Sequence, residues 1–363
     1  MDTLRRYRAI PRGRLLALVV TLAFVAGACS GGGGDQRAGL DAEFKPTPGE
    51  RDVQFIGAAK LRMGATLAVP PGATGAAPAV LIIPAPGATN RDGPLVARPA
   101  DPLYKDLSAA LTAAGMVTLR YDHRGIGESP LETGQSLSWD DMVGDAKEAL
   151  TFLGQRREVD ASRMAVIGHD MGGPIALKLA AGDARVKSVA LVSSPGRPLI
   201  DVWSDGYKFS HGQASADAFR SMIDGLLASA ALPPRETIRP EIQDQPSAQP
   251  GRVLQGDVLG RPLADSAAVE VPVLMVLGER STTVSSADTE RLGRALGGRS
   301  EIVVAANSSA TLQQQLRPPV RAFDPLDMDS HGLGPPVAEA PREQATVDRI
   351  AAFVGSSVGA KAA

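Results

Sequence analysis

A doubly wound, mainly parallel α/β sheet with a helical or irregular cap insertion is the fold this sequence predicts, and three observations carry that expectation. Short apolar runs recur along the chain, among them Ala79-Val80-Leu81-Ile82-Ile83, Met164-Ala165-Val166-Ile167, Val186 to Val192 and Val271 to Leu277. Runs without polar alternation mark strands buried on both faces, as in a parallel sheet covered by helices. Amphipathic stretches of helical period separate them, giving the strand-helix alternation of a layered α/β domain. The third observation is Gly168-His169-Asp170-Met171-Gly172-Gly173, set between a strand pattern and the helical pattern Pro174 to Ala180. Small residues on both sides of Asp170 permit a sharp strand-to-helix turn that projects its side chain above the sheet at a helix N-terminus.

The elements follow in order. Val53 to Ile56 and Lys60 to Val69 read as strands, the second ended by Pro70-Pro71-Gly72. After the strand at Ala79 to Ile83, a helix is expected at about Pro102 to Ala114 and a strand over Met116 to Tyr121. A long amphipathic helix spans about Ser138 to Leu153, with Ser138 or Asp140 as cap. Beyond the turn at Asp170 come strand Val186 to Val192, strand Val271 to Leu277, a helix from about Ser286 to Leu296, strand Glu301 to Ala305 and a closing helix near Glu343 to Val354. Between Gly196 and Ala268 the alternation stops. A helical stretch around Ala216 to Ala230 followed by Pro and Gln clusters at Leu232 to Pro250 reads as a partly irregular cap over the C-terminal edge of the sheet. The 363 residues suffice for one large domain with an insertion, placed at 51–357 with its cap at about 197–268, although length alone also permits two domains.

The N-terminus has the anatomy of an export signal over residues 1–28. Arg5, Arg6, Arg8, Arg12 and Arg14 precede an apolar run from Leu15 to Val25, and Ala26-Gly27-Ala28 is a small-residue cleavage site. The run is too short for a comfortable membrane span. Cys29, the only cysteine, follows directly, and Val25-Ala26-Gly27-Ala28-Cys29 resembles the lipobox of bacterial lipoproteins. That resemblance implies an acylated Cys29 as mature N-terminus, a lipid bilayer as partner, and an exported protein facing the extracytoplasmic side. Ordinary secretion with an incidental cysteine is the alternative. Residues 29–50, with four consecutive glycines after Ser30, then form a flexible tether. A net charge of −2 gives no electrostatic footprint for nucleic acid. No His/Cys cluster marks a metal site, and Gly31 to Gly34 follows no strand, so no cofactor is expected.

The decapeptide Arg120-Tyr121-Asp122-His123-Arg124-Gly125-Ile126-Gly127-Glu128-Ser129, together with the Gly168 turn, is similar to a bacterial serine esterase/peptidase-like branch of the α/β-hydrolases over about Val53 to Val354. The resemblance implies a nucleophile, an acid and a base at three positions, and each departs from the family. Asp170 stands where the nucleophilic serine belongs. In Gly278-Glu279-Arg280-Ser281, Ser281 takes the place of the acid, with Glu279 as a displaced candidate or a solvated charge. In Ala306-Asn307-Ser308-Ser309, Ser308 takes the place of the histidine. Of the four histidines, His123 and His169 sit in motif backbones and His211 in the cap, which leaves His331 as the one alternative base. The oxyanion-hole donors fall at Met171 and, aligning Pro84 to Gly93 on the family loop, at Pro86, which has no N–H. Aspartate nucleophiles occur on this fold in haloalkane dehalogenases and epoxide hydrolases. Those enzymes usually carry Trp after the aspartate and a His-Gly-x-Pro loop, where this chain has Met171 and Pro84-Ala85-Pro86-Gly87. The otherwise expected role of Asp170 is a carboxylate stabilised at a helix N-terminus by about 0.3–1 kcal/mol. A membrane-anchored, non-catalytic protein that binds a small molecule, lipid or envelope partner is the leading expectation. An active hydrolase, with relocated partners or an Asp170 nucleophile, is its rival.

Overall fold

Each apolar run becomes a strand whose alternate side chains feed two different cores. A computed structural model describes residues 49–85, 90–93, 101–131, 138–229, 234–240, 242, 265–281, 284–314 and 341–360. The strands are β1 (Glu50–Ile56), β2 (Arg62–Ala68), β3 (Ala77–Ile83), β4 (Val117–Tyr121), β5 (Val159–His169), β6 (Val186–Val192), β7 (Val273–Gly278) and β8 (Ser300–Ala305). They form one sheet in the order β1-β2-β4-β3-β5-β6-β7-β8. β1 pairs with β2 and β2 with β4 antiparallel, and every pairing from β4 to β8 is parallel.

The helices are α1 (Leu103–Ala113), α2 (Trp139–Gly154), α3 (Gly172–Gly182), α4 (Leu199–His211), α5 (Gln213–Ser229), α6 (Ser286–Leu296) and α7 (Gln344–Ser357). On β3, Ala79, Leu81 and Ile83 join the core shared with α2 and α3, while Val80 and Ile82 join the core under α1 and α7. β5 divides the same way, Met164 and Val166 to one side and Ala165 and Ile167 to the other. This period-2 split is why the runs read as continuously apolar. Truncating a fully buried side chain such as Leu81 to alanine removes about 2–5 kcal/mol of stability.

Local chemistry sets the helix starts. Ser138 caps α2, its Oγ accepting the Asp141 N–H at 3.1 Å, so of the two candidates it is Ser138 and not Asp140 that serves. Ser285 does the same for α6 through the Asp288 N–H, and the Glu343 carboxylate caps α7 through the Thr346 N–H.

The described start of the insertion carries more helix than the sequence pattern implied. The described part begins with two consecutive helices, α4 and α5, where one was expected. Tyr207 of α4 stacks on Phe219 of α5 at 4.7 Å between ring centroids, and Ile200, Val202, Met222 and Ile223 are buried with them in the main core. β1 also begins at Glu50, three residues before its apolar pattern, because pairing with β2 carries its polar residues. Cys29, Pro86, His331 and the Pro/Gln-rich stretch from Gln243 to Pro250 lie outside the described residues. No described helix is long and apolar enough to cross a membrane.

Candidate functional site at the C-terminal edge of the sheet

The turn between β5 and α3 is made by glycines with no room for a side chain. A Cβ on Gly168 would lie 2.3 Å from the Gly172 carbonyl oxygen, and one on Gly172 would lie 2.4 Å from that of Ile83. Between them Asp170 adopts φ +48°, a left-handed conformation that aspartate tolerates better than most residues. Its N–H donates to Val192 O at 2.9 Å and its carbonyl accepts the Gly173 N–H at 2.9 Å, which clamps the turn onto β6 and the start of α3.

The remaining strand ends line up beside it. Ser193 N–H donates to Val276 O, joining β6 to β7, and Ser193 Oγ donates to Ala310 O at 2.8 Å. Gly278, at the end of β7, packs so closely on the loop after β8 that a Cβ would sit 1.9 Å from Ser309 O. Arg280 N–H reaches Ser308 O at 2.9 Å. Asp170, Ser281 and Ser308 therefore occupy the ends of β5, β7 and β8 on one edge of one sheet, the place where open α/β sheets hold their ligands.

What those three side chains do is local. Ser281 Oγ accepts the Val284 N–H at 3.3 Å, and Ser308 Oγ donates to Ala306 O at 3.0 Å; both residues are buried. Glu279 is not merely a solvated charge. Its carboxylate accepts the Asn307 N–H at 2.7 Å and so ties the β7 turn to the β8 loop. Burial pushes the Asp170 carboxyl pKa up to about 6, a rise that the neighbouring Met171 N–H opposes. Burial thus outweighs the stabilisation expected of a carboxylate at a helix start.

The described imidazoles point elsewhere. His169 alternates to the opposite face of β5, where its Nδ1 lies 2.9 Å from the Tyr104 hydroxyl. Its Nε2 is buried and faces the Ala310 carbonyl without reaching hydrogen-bond geometry. His123 is buried with Nδ1 on Arg124 O and Nε2 against Met142 Sδ. Burial lowers the pKa of both rings to about 4, so both are neutral near pH 7. His211 sits exposed at the end of α4, its ring 6.2 Å from that of Tyr207. Among the described residues no imidazole is hydrogen-bonded to Asp170, and no group of three or more His, Cys, Asp or Glu is placed to hold a metal ion.

Sequence reasoning missed Tyr104. Its hydroxyl also accepts the Ala85 N–H at 3.0 Å, in the loop that follows β3. It missed as well the buried ion pair of Arg342 with Asp101, 2.7 Å apart, beneath the same edge. Neither has a sequence signal, because each joins segments far apart in the chain.

The Arg120 to Ser129 segment proves to be scaffold. Asp122 accepts the N–H groups of Arg91 and Glu128, each at 2.9 Å, and burial raises its carboxyl pKa against the pull of Arg91. Ser129 Oγ donates to Asp122 O and accepts the Gly64 N–H. Arg124, fully buried, grips Asp145 of α2 through Nε and Nη2, each at 2.7 Å. These bonds weld β2, β4 and α2 together.

With strand order, turn and edge in place, the comparisons are unambiguous about architecture. A solved hypothetical protein from Pseudomonas aeruginosa superposes with a TM-score of 0.55 at 19% identity, covering 88% of this chain and 97% of that one. The α/β-hydrolase GrgF from a Penicillium species gives 0.53 at 16% identity, covering 85% and 99%.

This chain has the α/β-hydrolase fold.

Residues 102–223, which include the elbow, match the family model of serine aminopeptidase, S33. The esterase EstD of Thermotoga maritima is 25% identical over 239 residues, 64% of this chain. The alignment spans 54% of that esterase, about half its length. Within an α/β-hydrolase fold, the Gly168 to Gly173 turn is the nucleophile elbow and the loop after β3 is where the second oxyanion donor normally originates.

Proposed function

We propose that this α/β-hydrolase-fold protein is an exported, membrane-anchored lipoprotein that binds a small molecule, lipid or envelope partner at the old active-site edge without hydrolysing it. The observation that carries the reading is Asp170 at the elbow with no imidazole hydrogen-bonded to it among the described residues. A serine hydrolase needs an activated hydroxyl, a base and an acid that holds the imidazolium. The aligned positions hold Asp170, Ser308 and Ser281, and losing the nucleophile or the base alone costs on the order of 10⁶ in turnover.

The oxyanion side supports the same reading. The Ala85 N–H is engaged by Tyr104, and the loop that follows carries Pro86, which has no N–H to offer. An Asp170 nucleophile would also need to be ionised, whereas its environment favours the protonated acid below about pH 6. What the edge offers a ligand is a carboxyl group able to accept or donate a hydrogen bond, at the start of α3.

The purified protein should show no turnover of p-nitrophenyl acetate or amino-acid arylamides and no covalent labelling by a fluorophosphonate. Stoichiometric labelling of any serine, or ester turnover that saturates with substrate, would replace the binding role with a relocated hydrolase.

A further inference from the structure

Among the described residues the sheet ends in β1 on one side and β8 on the other. Edge strands expose a row of unpaired N–H and C=O groups, and proteins usually blunt them with charge, proline or a bulge. β1 is blunted by Glu50, Arg51 and Asp52. β8 reads Ser300-Glu301-Ile302-Val303-Val304-Ala305, with a single charge and no proline. Of the three large hydrophobic side chains exposed among the described residues, two are on β8: Ile302 at 42% and Val304 at 53%.

The backbone sorts which residues the open edge presents. Ala305 turns its carbonyl inward to accept the Glu279 N–H at 2.9 Å. In a strand the N–H and C=O of one residue point the same way and reverse at the next, so Val303 and Glu301 also face β7. Ile302 and Val304 therefore present their backbone groups at the open edge, together with their exposed side chains.

We infer that β8 pairs antiparallel with β8 of a second copy of this chain, with the two-fold axis at Val303. This register is self-complementary in two respects. Ile302 of each copy falls opposite Val304 of the other, as a pair exchanging both N–H···O bonds, which joins four exposed apolar side chains on one face. Val303 falls opposite itself in a non-hydrogen-bonded position, as its inward-facing backbone requires. Registers centred on Ile302 or Val304 satisfy the backbone equally but oppose Val304 to Ser300, or Ile302 to Ala306. A stable interface buries about 1,200–2,000 Å², more than two short strands supply. The flanking α6, whose Gly293 lies against Ile302, and α7, joined to β8 through Arg349 and Glu301, complete it.

The test uses the full-length chain in mild detergent. Sedimentation should give a dimer, and Val304→Lys, at an exposed position, should weaken it by on the order of 10- to 100-fold in dissociation constant by placing two charges in the seam. Val303→Cys should form a disulfide-linked dimer on mild oxidation, since non-hydrogen-bonded antiparallel pairs bring Cα atoms to about 4.5 Å. The unaltered chain, whose only cysteine is Cys29, and Ile56→Cys on β1 should not. A monomeric wild type, a dimer indifferent to Val304→Lys, or a Val303→Cys chain that cross-links no faster than the controls overturns the inference.

Discussion

Tyr104 joins two sides of the candidate site: its hydroxyl lies 2.9 Å from Nδ1 of His169 and takes the Ala85 N–H at 3.0 Å. One buried oxygen thereby fixes the loop after β3 and the strand end that carries Asp170. Tyr104→Phe leaves a buried amide and a buried imidazole nitrogen without their partner. The cost should be about 1–3 kcal/mol in urea unfolding. A change under about 0.3 kcal/mol would mean that water replaces the hydroxyl.

Asp170 is a destabilising group at neutral pH, and the sign follows from linkage. Its pKa rises on folding from 3.8 to about 6, so between these values the folded state binds more protons than the unfolded one. The favourable contribution is complete below about pH 4 and is lost as pH rises through about 6. Asp170→Asn keeps the shape and the left-handed backbone but removes the titration. The variant should gain about 2–3 kcal/mol over wild type at pH 7.5 and little at pH 4. Equal gains at both pH values would place the effect elsewhere than in the charge.

The Arg124–Asp145 pair behaves as an all-or-none unit. Arg124→Met strands a buried carboxylate and should cost about 3–5 kcal/mol. The double variant Arg124→Met/Asp145→Leu should recover much of that loss, measured as a coupling energy in a double-mutant cycle. Simple additivity would show that the two side chains stabilise separate contacts.

Much of this architecture was legible in the sequence, for reasons specific to its residues. The buried strands announced themselves because every position from Ala79 to Ile83 is apolar, as burial between two helix layers demands. The elbow was legible because Gly168 and Gly172 admit no Cβ. Helix α4 was missed because the strand-helix alternation stops after Gly196, although Ile200, Trp203 and Tyr207 already carried the helical spacing. The bond from Tyr104 to His169 spans 65 positions and leaves no local pattern. The identities at Asp170, Ser281 and Ser308 were read from motif alignment, and the structure sets those three positions on one sheet edge.

The proposed membrane anchoring rests on Cys29. Cys29→Ser expressed in a bacterial host should move the protein from the membrane pellet to the soluble extracytoplasmic fraction. A variant that stays with membranes to the wild-type extent removes acylation from the account.

If the edge is an emptied active site, its chemistry should be partly recoverable. Asp170→Ser alone should remain inactive, since an unassisted hydroxyl is a poor nucleophile. Adding Ser281→Asp and Ser308→His supplies an acid and a base at strand ends already aligned, and weak ester turnover should follow, limited by Pro86. Activity in the single variant would imply that a base already stands beside residue 170.

The most direct measurement of the central claim is turnover by the unaltered protein of a panel of haloalkanes, epoxides and short-chain esters, run in H₂¹⁸O beside Asp170→Asn. The account predicts no product above buffer, no difference between the two proteins, and no ¹⁸O in the peptide containing Asp170. Product that disappears in Asp170→Asn, with ¹⁸O incorporated at Asp170 in the unaltered chain, would contradict it and make the aspartate a working nucleophile.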